Sequence, residues 1–185
     1  MNVLIGLALI YLASASGNSD RCAKKISKSD FDLSRFLGVW YEIVRSSNID
    51  AEFGDCNFQQ VVLETEGGLT FNNYQRVGDD YDDVSWPGFC DPRQNFLGRC
   101  YYKPHPELSW VDYQIISTDY DNYVVAYSCN SSKNSKFDMV WVGGRSKNLD
   151  WNLYRDIVID QLGFTLDELI TDVQKDNCPP IPIPV

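Results

Sequence analysis

Between residues 38 and 145 apolar and polar positions alternate in a series of short runs. "VWYEIVR", "NFQQVVLE", "LTFNNYQRV", "GRCYYK", "SWVDYQIIS", "NYVVAYSC" and "KFDMVWVGGR" are rich in Val, Ile, Tyr, Phe and Trp, side chains that suit a pleated, half-buried surface. Turn signals separate them: "EGG" at 66–68, "GDD" at 78–80, "KPHPE" at 103–107, "TDYDN" at 118–122 and "NSSKNS" at 130–135. Many short strands with regular turns predict an all-β antiparallel sandwich or barrel. After Arg145 the pattern changes. In "LDWNLYRDIVIDQLG" Asp150 can cap a helix, Leu153, Ile157 and Leu162 fall near one apolar stripe, and Gly163 stops it. The tail, "TLDELITDVQKDNCPPIPIPV", has alternating prolines that favour an extended end.

Alternation within the runs bears on what lies inside. In "FDMVWVGGR", Phe137, Met139, Trp141, Gly143 and Arg145 share one face and Asp138, Val140, Val142 and Gly144 the other. Both faces are largely apolar, so this strand is predicted to be covered on both sides. In "WVDYQIIS", Val111, Tyr113 and Ile115 oppose Trp110, Asp112 and Gln114. A face mixing aromatics with Met and Gly suits a cavity wall, because Gly leaves volume and aromatics supply apolar surface with a polar tip. A filled core explains the same residues, and composition alone favours it.

The first fifteen residues, "MNVLIGLALIYLASA", are uncharged, and their apolar run is too short to span a bilayer. They read as a signal peptide, with Ala13 and Ala15 at the small-residue positions of a cleavage site. The expected organisation is therefore a leader, 1–15, and one domain, 16–185, secreted and without a transmembrane segment. Six cysteines agree with an oxidising compartment and three disulfides, of which arithmetic allows fifteen pairings. None stands in C-x-x-C and His105 is the sole histidine, so no metal site is expected. Asn130 opens the only N-x-S/T sequon and is the candidate glycosylation site. The net charge of −10 disfavours nucleic acid as a partner.

Three stretches then carry a resemblance. "FDLSRFLGVWYEI" resembles the G-x-W motif of the lipocalins, "STDYDNYVVAYSC" their T-D-Y-x-x-Y motif, and "VWVGGR" their third motif, which ends in Arg. Their order and separations match the family, and the text is most similar to the apolipoprotein D group and the insect bilin-binding lipocalins. The resemblance implies an eight-stranded antiparallel up-and-down β-barrel with one C-terminal α-helix packed outside. It implies structural roles for Gly38, Trp40, Thr118, Asp119, Tyr120 and Arg145, with Arg145 laid across the Trp40 ring. It also implies the bridges Cys22–Cys129 and Cys56–Cys178, which leaves Cys90–Cys100 as the third pair.

The function implied is that of a secreted carrier for a small lipophile: a bilin, retinoid, carotenoid, fatty acid, steroid or pheromone. No obligatory cofactor is expected beyond such a bound molecule. Matching strands to the family directs Glu42, Gln59, Val61, Tyr74, Tyr113, Ile115, Val124, Ala126, Met139 and Trp141 into the barrel, with Trp141 and Tyr113 foremost and Asn72 a weaker companion of Tyr74. Glu42 follows Trp40 on the same face, and as a buried carboxylate it needs a partner or a raised pKa. Two other classes compete. A secreted interaction or signalling module with a small or empty pocket would use "SSNIDAEFGD" and "GDDYDDVSWPGFC", read as open-end loops exposing Phe53, Trp86 and Phe89 to a receptor or membrane surface. A lipocalin-type enzyme ranks third: His105, the sole histidine, lies in a proline-rich turn, which argues against a Ser-His-Asp or Cys-His site, and no spare Cys occupies an early strand, while paired carboxylates stay open among 26 acidic residues that mostly fall in polar turns. The chain is therefore read as a non-enzyme with no catalytic residues.

Overall fold

The alternating runs become strands because each has one face to bury against a neighbour's. In the computed structural model, which describes residues 27–91, 98–132, 135–171 and 173–183, a one-turn helix α1 (Leu33–Phe36) leads into β1 (Gly38–Ser46). There follow β2 (Asp55–Leu63), β3 (Leu69–Val77), β4 (Asp80–Cys90), β5 (Arg99–Tyr102), β6 (Val111–Thr118), β7 (Tyr123–Ser132) and β8 (Ser135–Gly144). Each strand pairs antiparallel with the next, and β8 returns to β1, which also pairs with β2, so the sheet closes into an eight-stranded barrel. A further two-residue strand, β9 (Leu169–Ile170), joins the end of β1 where β1 has left β2. The expected leader, Cys22 and the side chain of Asn130 lie outside the described residues, and the Cys22–Cys129 bridge with them. Cys56–Cys178 and Cys90–Cys100 are disulfides, the latter directly opposite one another on β4 and β5.

Two expectations about elements need correction. "GDDYDDVSWPGFC" is no loop: after the turn at 78–79 it forms β4, paired with β3 from Asp80 to Gly88. Its acids are exposed to water, Trp86 points inward, and Gly88 is required because the Phe71 ring occupies the place a Cβ would take. Phe89 accordingly sits on the outer barrel wall near the closed end, stacked on Tyr101, and is no open-end residue. The helix after Arg145 is capped by Asp150, whose side chain accepts from Asn152 N at 3.1 Å, and stopped by Gly163 at φ 78°. Between them it runs as a 3-10 turn (Trp151–Tyr154) and a π-helical turn (Ile157–Gln161). That winding turns Leu153 out to 73% exposure and buries Val158 in its place, while Leu162 is buried as the stripe implied.

Two apolar clusters result. Outside the barrel, Val158, Leu162 and Phe164 cover Ile43, Val44, Val125, Tyr127, Val140 and Val142. Inside, Phe36, Trp40, Val61, Phe71, Tyr113, Ile115 and Ala126 fill the closed end and line what lies above it. Strand β8 thus has both faces covered, as its apolar alternation required.

The three motif stretches meet at the closed end. The Arg145 guanidinium lies 3.6 Å from the Trp40 ring centroid. Its nitrogens donate to Tyr120 O (3.0 Å), Val39 O (2.7 Å), Arg35 O (2.9 Å) and Leu37 O (2.9 Å). Trp40 Nε1 donates to Phe36 O at 2.8 Å. Asp119 Oδ1 accepts from the amides of Asn122 and Tyr123. Thr118 Oγ1 accepts from Tyr120 N, which holds Tyr120 at φ 72°. Gly38, at φ 94°, lets the backbone enter the barrel beside Arg145.

Arg145→Ala should lower the unfolding free energy by about 3 kcal/mol, since a cation–π contact contributes roughly 0.5–2 and a charge-assisted hydrogen bond roughly 1.5–3 kcal/mol. Arg145→Lys should recover less than half of the loss, because an ammonium cannot reproduce the planar fork. Urea denaturation checks both; an alanine variant as stable as the wild type would contradict this role.

Candidate functional site

Above the motif residues the barrel encloses a cavity. Trp40 and Phe36 form its floor, Phe71 and Asn73 of β3 and Trp86 of β4 one wall, and Tyr102, Tyr113, Val124, Ala126, Trp141 and Gly143 the other. The cavity left inside the barrel wall is small, about 50 Å³. Aromatic side chains take up the rest: Trp86 stacks on Tyr102 at 5.0 Å between ring centroids, and Tyr113 packs on Trp141 at 5.9 Å.

The polar end of the cavity is built by an irregularity in β1. Glu42 pairs with Gly143 and Val44 with Val142, so Ile43 is an extra residue, a β-bulge. Ile43 and Val44 both face the outer cluster, and Arg45 returns to the face of Glu42. Residues three apart on a regular strand would point to opposite sides. Here Arg45 Nη1 meets Glu42 Oε1 at 2.7 Å, with both side chains nearly buried, and Nη2 donates to Gly54 O at 3.0 Å. The loop from β1 to β2 folds Glu52 into the same place, where Trp141 Nε1 donates to both of its oxygens (3.2 and 3.0 Å). Gln174 holds the parted strands, donating to Glu42 O and Asn57 O. Gln59 Nε2 donates to Asn73 Oδ1 at 2.8 Å on the opposite wall.

This arrangement sets the proton inventory. Burial pushes the Glu42 carboxyl well above its ordinary value near 4.5; the charge of Glu52 adds to the rise and Arg45 opposes it. Burial also raises Glu52, while the Trp141 indole N–H and Arg45 hold it back. Both carboxyls therefore hold a proton more readily than a free side chain does, Glu42 the more so because the charge of Glu52 adds to its burial. Burial pushes the Tyr102 phenol up to about 12 and the Tyr113 phenol higher still, so both are neutral donors at neutral pH.

Of the ten residues expected to face inward, Glu42, Gln59, Tyr113, Val124, Ala126 and Trp141 line the cavity. Val61 and Ile115 lie in the packed closed end, and Met139 is buried away from the cavity wall. Tyr74 is a correction: it faces outward, stacked on Phe58 at 4.4 Å. Asn72, which bonds Gln60 and Ser85, shares that outer face, so Phe71 and Asn73 are the inward pair of β3. Sequence reasoning missed Glu52, Trp86, Tyr102, Phe36, Phe71 and Asn73 as wall residues. The opposite parity of "LTFNNYQRV" would have found Phe71 and Asn73; nothing in "SSNIDAEFGD" distinguishes Glu52 from a solvated loop acid.

The model of the lipocalin / cytosolic fatty-acid binding protein family matches residues 37–176. The chain is similar to the bilin-binding protein of Pieris brassicae, 28% identical over 156 residues that span 80% of each chain. It is also similar to apolipoprotein D of Cavia porcellus (25% identical, 97% of each chain) and the Lazarillo protein of Schistocerca americana (25%, 88% of this chain and 77% of that one). Among solved structures, lobster apocrustacyanin A1 superposes with a TM-score of 0.65 at 18% identity, covering 80% of this chain and 82% of that chain. Insecticyanin from Manduca sexta gives 0.65 at 19% identity, covering 83% and 85%. These last two likenesses are likenesses of fold.

The carboxyl pair has a pH signature. A carboxyl raised by folding binds its proton more tightly in the folded chain, so its contribution is complete below about pH 4.5 and is lost as pH rises through the folded value. Asp55 and Asp119 are held below their ordinary value near 3.8, by Arg76 and by hydrogen bonds respectively, and act at lower pH. Over the pH range above about 4.5 the melting temperature should fall as pH rises, and Glu42→Gln should flatten that slope. Thermal melts across the range check this, and equal slopes in both proteins would refute it.

Proposed function

The chain belongs to the lipocalin / cytosolic fatty-acid binding protein family, and on that premise we propose that it is a secreted carrier enclosing a small lipophilic molecule in its barrel. The observation that carries this reading is the central cavity, walled by aromatic and aliphatic side chains and bearing one polar cluster at its end. Apolar walls supply affinity: burying about 300 Å² of ligand surface yields on the order of 7 kcal/mol at ~25 cal/mol/Å², before ordering costs. Buried polar groups then select among ligands. Secretion is supported by the leader-like opening and by disulfide use. A bilin is one candidate cargo, because a bilin-binding protein is among the relatives; it would require the Trp86–Tyr102 stack to move aside.

One observation favours the second reading, an interaction module with a small pocket. The free space is tight, and Phe53, Val77, Leu108 and Trp110 are exposed in or beside the loops at the other end of the barrel from the motif residues. Ligand titration separates the two. Biliverdin, retinol, oleate and progesterone should be titrated into the full-length chain while the fluorescence of Trp40, Trp86 and Trp141 is followed. Saturable quenching by at least one is expected. Ala126→Phe, which fills the cavity wall, should weaken that ligand by about tenfold or more with the β-sheet circular dichroism retained. Absence of saturable binding by every member would overturn the carrier in favour of the module.

A further inference from the structure

The polar end of the cavity is unbalanced in a way that specifies a ligand class. Among the described residues two carboxyls, Glu42 and Glu52, face a single guanidinium, and Arg45 divides its Nη donors between Glu42 and a backbone carbonyl. Glu52 is held by an indole N–H, which carries no charge. Beside them Asn57, 4% exposed, leaves its side-chain oxygen without a donor. It lines a recess that shares Glu52, Asn73 and Trp86 with the main cavity. Arg45 Nε is likewise unpaired, but it is a single donor against a surplus of acceptors. Seven aromatic rings make up most of the remaining wall, beside Gln59, Asn73 and small aliphatic residues, and the negative faces of rings attract a cation and repel an anion.

We propose that the cavity takes a compact aromatic amine, its protonated nitrogen entering between the Glu42 and Glu52 carboxyls and its apolar body lying against Trp40, Trp86 and Tyr113. This rests on the carrier reading, since the same cavity receives the molecule. The charge count closes. Without ligand, Arg45, one carboxylate and one carboxylic acid sum to zero. With an ammonium bound, Arg45 and the ligand balance two carboxylates, and the displaced proton leaves to solvent. No bond other than that O–H is broken. The tight free volume selects a small body, and even a phenyl group enters only as Trp86 swings off Tyr102; a fatty acid would place a third carboxyl against two. The charged and titratable groups facing the pair are Arg45 from β1 itself, Tyr102 from β5 and Tyr113 from β6. Both phenols stay neutral, so the carboxyls alone supply the proton.

The test compares 2-phenylethylamine, 2-phenylethanol and 3-phenylpropanoate by calorimetry on the full-length chain, with retinol, oleate and biliverdin as further arms. The amine should bind about tenfold or more tighter than the alcohol, and the carboxylate weakest. Titrations in two buffers of different ionisation enthalpy should show close to one proton released per amine. In Glu52→Gln the ratio of amine to alcohol affinity should fall to about one; Glu42→Gln serves the same purpose should the first variant fold poorly. An amine that binds no tighter than the alcohol, or a preference that survives both substitutions, overturns the proposal. Binding of retinol, oleate or biliverdin without the amine overturns it and leaves the carrier standing, whereas silence from all six ligands removes both.

Discussion

The barrel depends on one guanidinium. Helix α1 is a single turn, so its last carbonyls have no partner within the helix and would be stranded where the chain dives into β1. Arg145, at the far end of β8, takes Arg35 O and Leu37 O, while Trp40 Nε1 takes Phe36 O. The same guanidinium reaches Tyr120 O in the turn between β6 and β7 and covers the Trp40 ring. Three segments distant in sequence are thereby fixed to one another, and the floor of the barrel is closed by hydrogen bonds as well as by apolar contact. With the floor held this way, the upper interior has no need to be filled. A barrel closed by packing alone would require bulky side chains throughout its length.

What occupies the upper interior is electrostatically costly. Two carboxyls removed from water repel one another, and one guanidinium cannot compensate both. Both carboxyls are pushed upward and so hold a proton more readily, which lowers that cost. The Trp141 indole adds a donor to Glu52 without adding a charge, which explains why the ring is turned toward the loop from β1 to β2. The tail completes the enclosure: β9 pairs with β1 where β2 has departed, Gln174 spans the gap, and Cys178 is bound to Cys56. The C-terminal residues thus close the side of the barrel next to the polar cluster.

How much of this could be read from the chain follows from the range of the forces involved. Gly38, Trp40, Thr118, Asp119, Tyr120 and Arg145 stand in short, ordered stretches whose chemistry is local or aromatic, and they meet as those stretches implied. The two-sided covering of β8 was legible from alternation alone. Strand β4 was not, because its acids, Pro87 and Gly88 are turn-forming residues that tolerate a strand only when β3 pairs beside them. Tyr74 illustrates the limit of parity: "LTFNNYQRV" carries aromatics on both faces, and the stack on Phe58 decides which one turns outward. Glu52 had no local signal at all. Its entry into the cavity depends on the course of a loop, which depends in turn on β1 parting from β2.

That parting and the bulge at Ile43 join the outside of the barrel to its inside. One extra residue in β1 lets Ile43 and Val44 both face the outer cluster, under Val158, Leu162 and Phe164. The same extra residue returns Arg45 to the inner face, where it meets Glu42. A strand of regular alternation would give up one of these: either an apolar side chain beneath the helical segment or the guanidinium beside the carboxyls. The polar cluster is therefore sustained by apolar packing on the opposite side of the sheet. Loosening of the contact between the helical segment and β1 would change the register of Arg45, and with it the charge presented inside the barrel, without touching a single cavity residue.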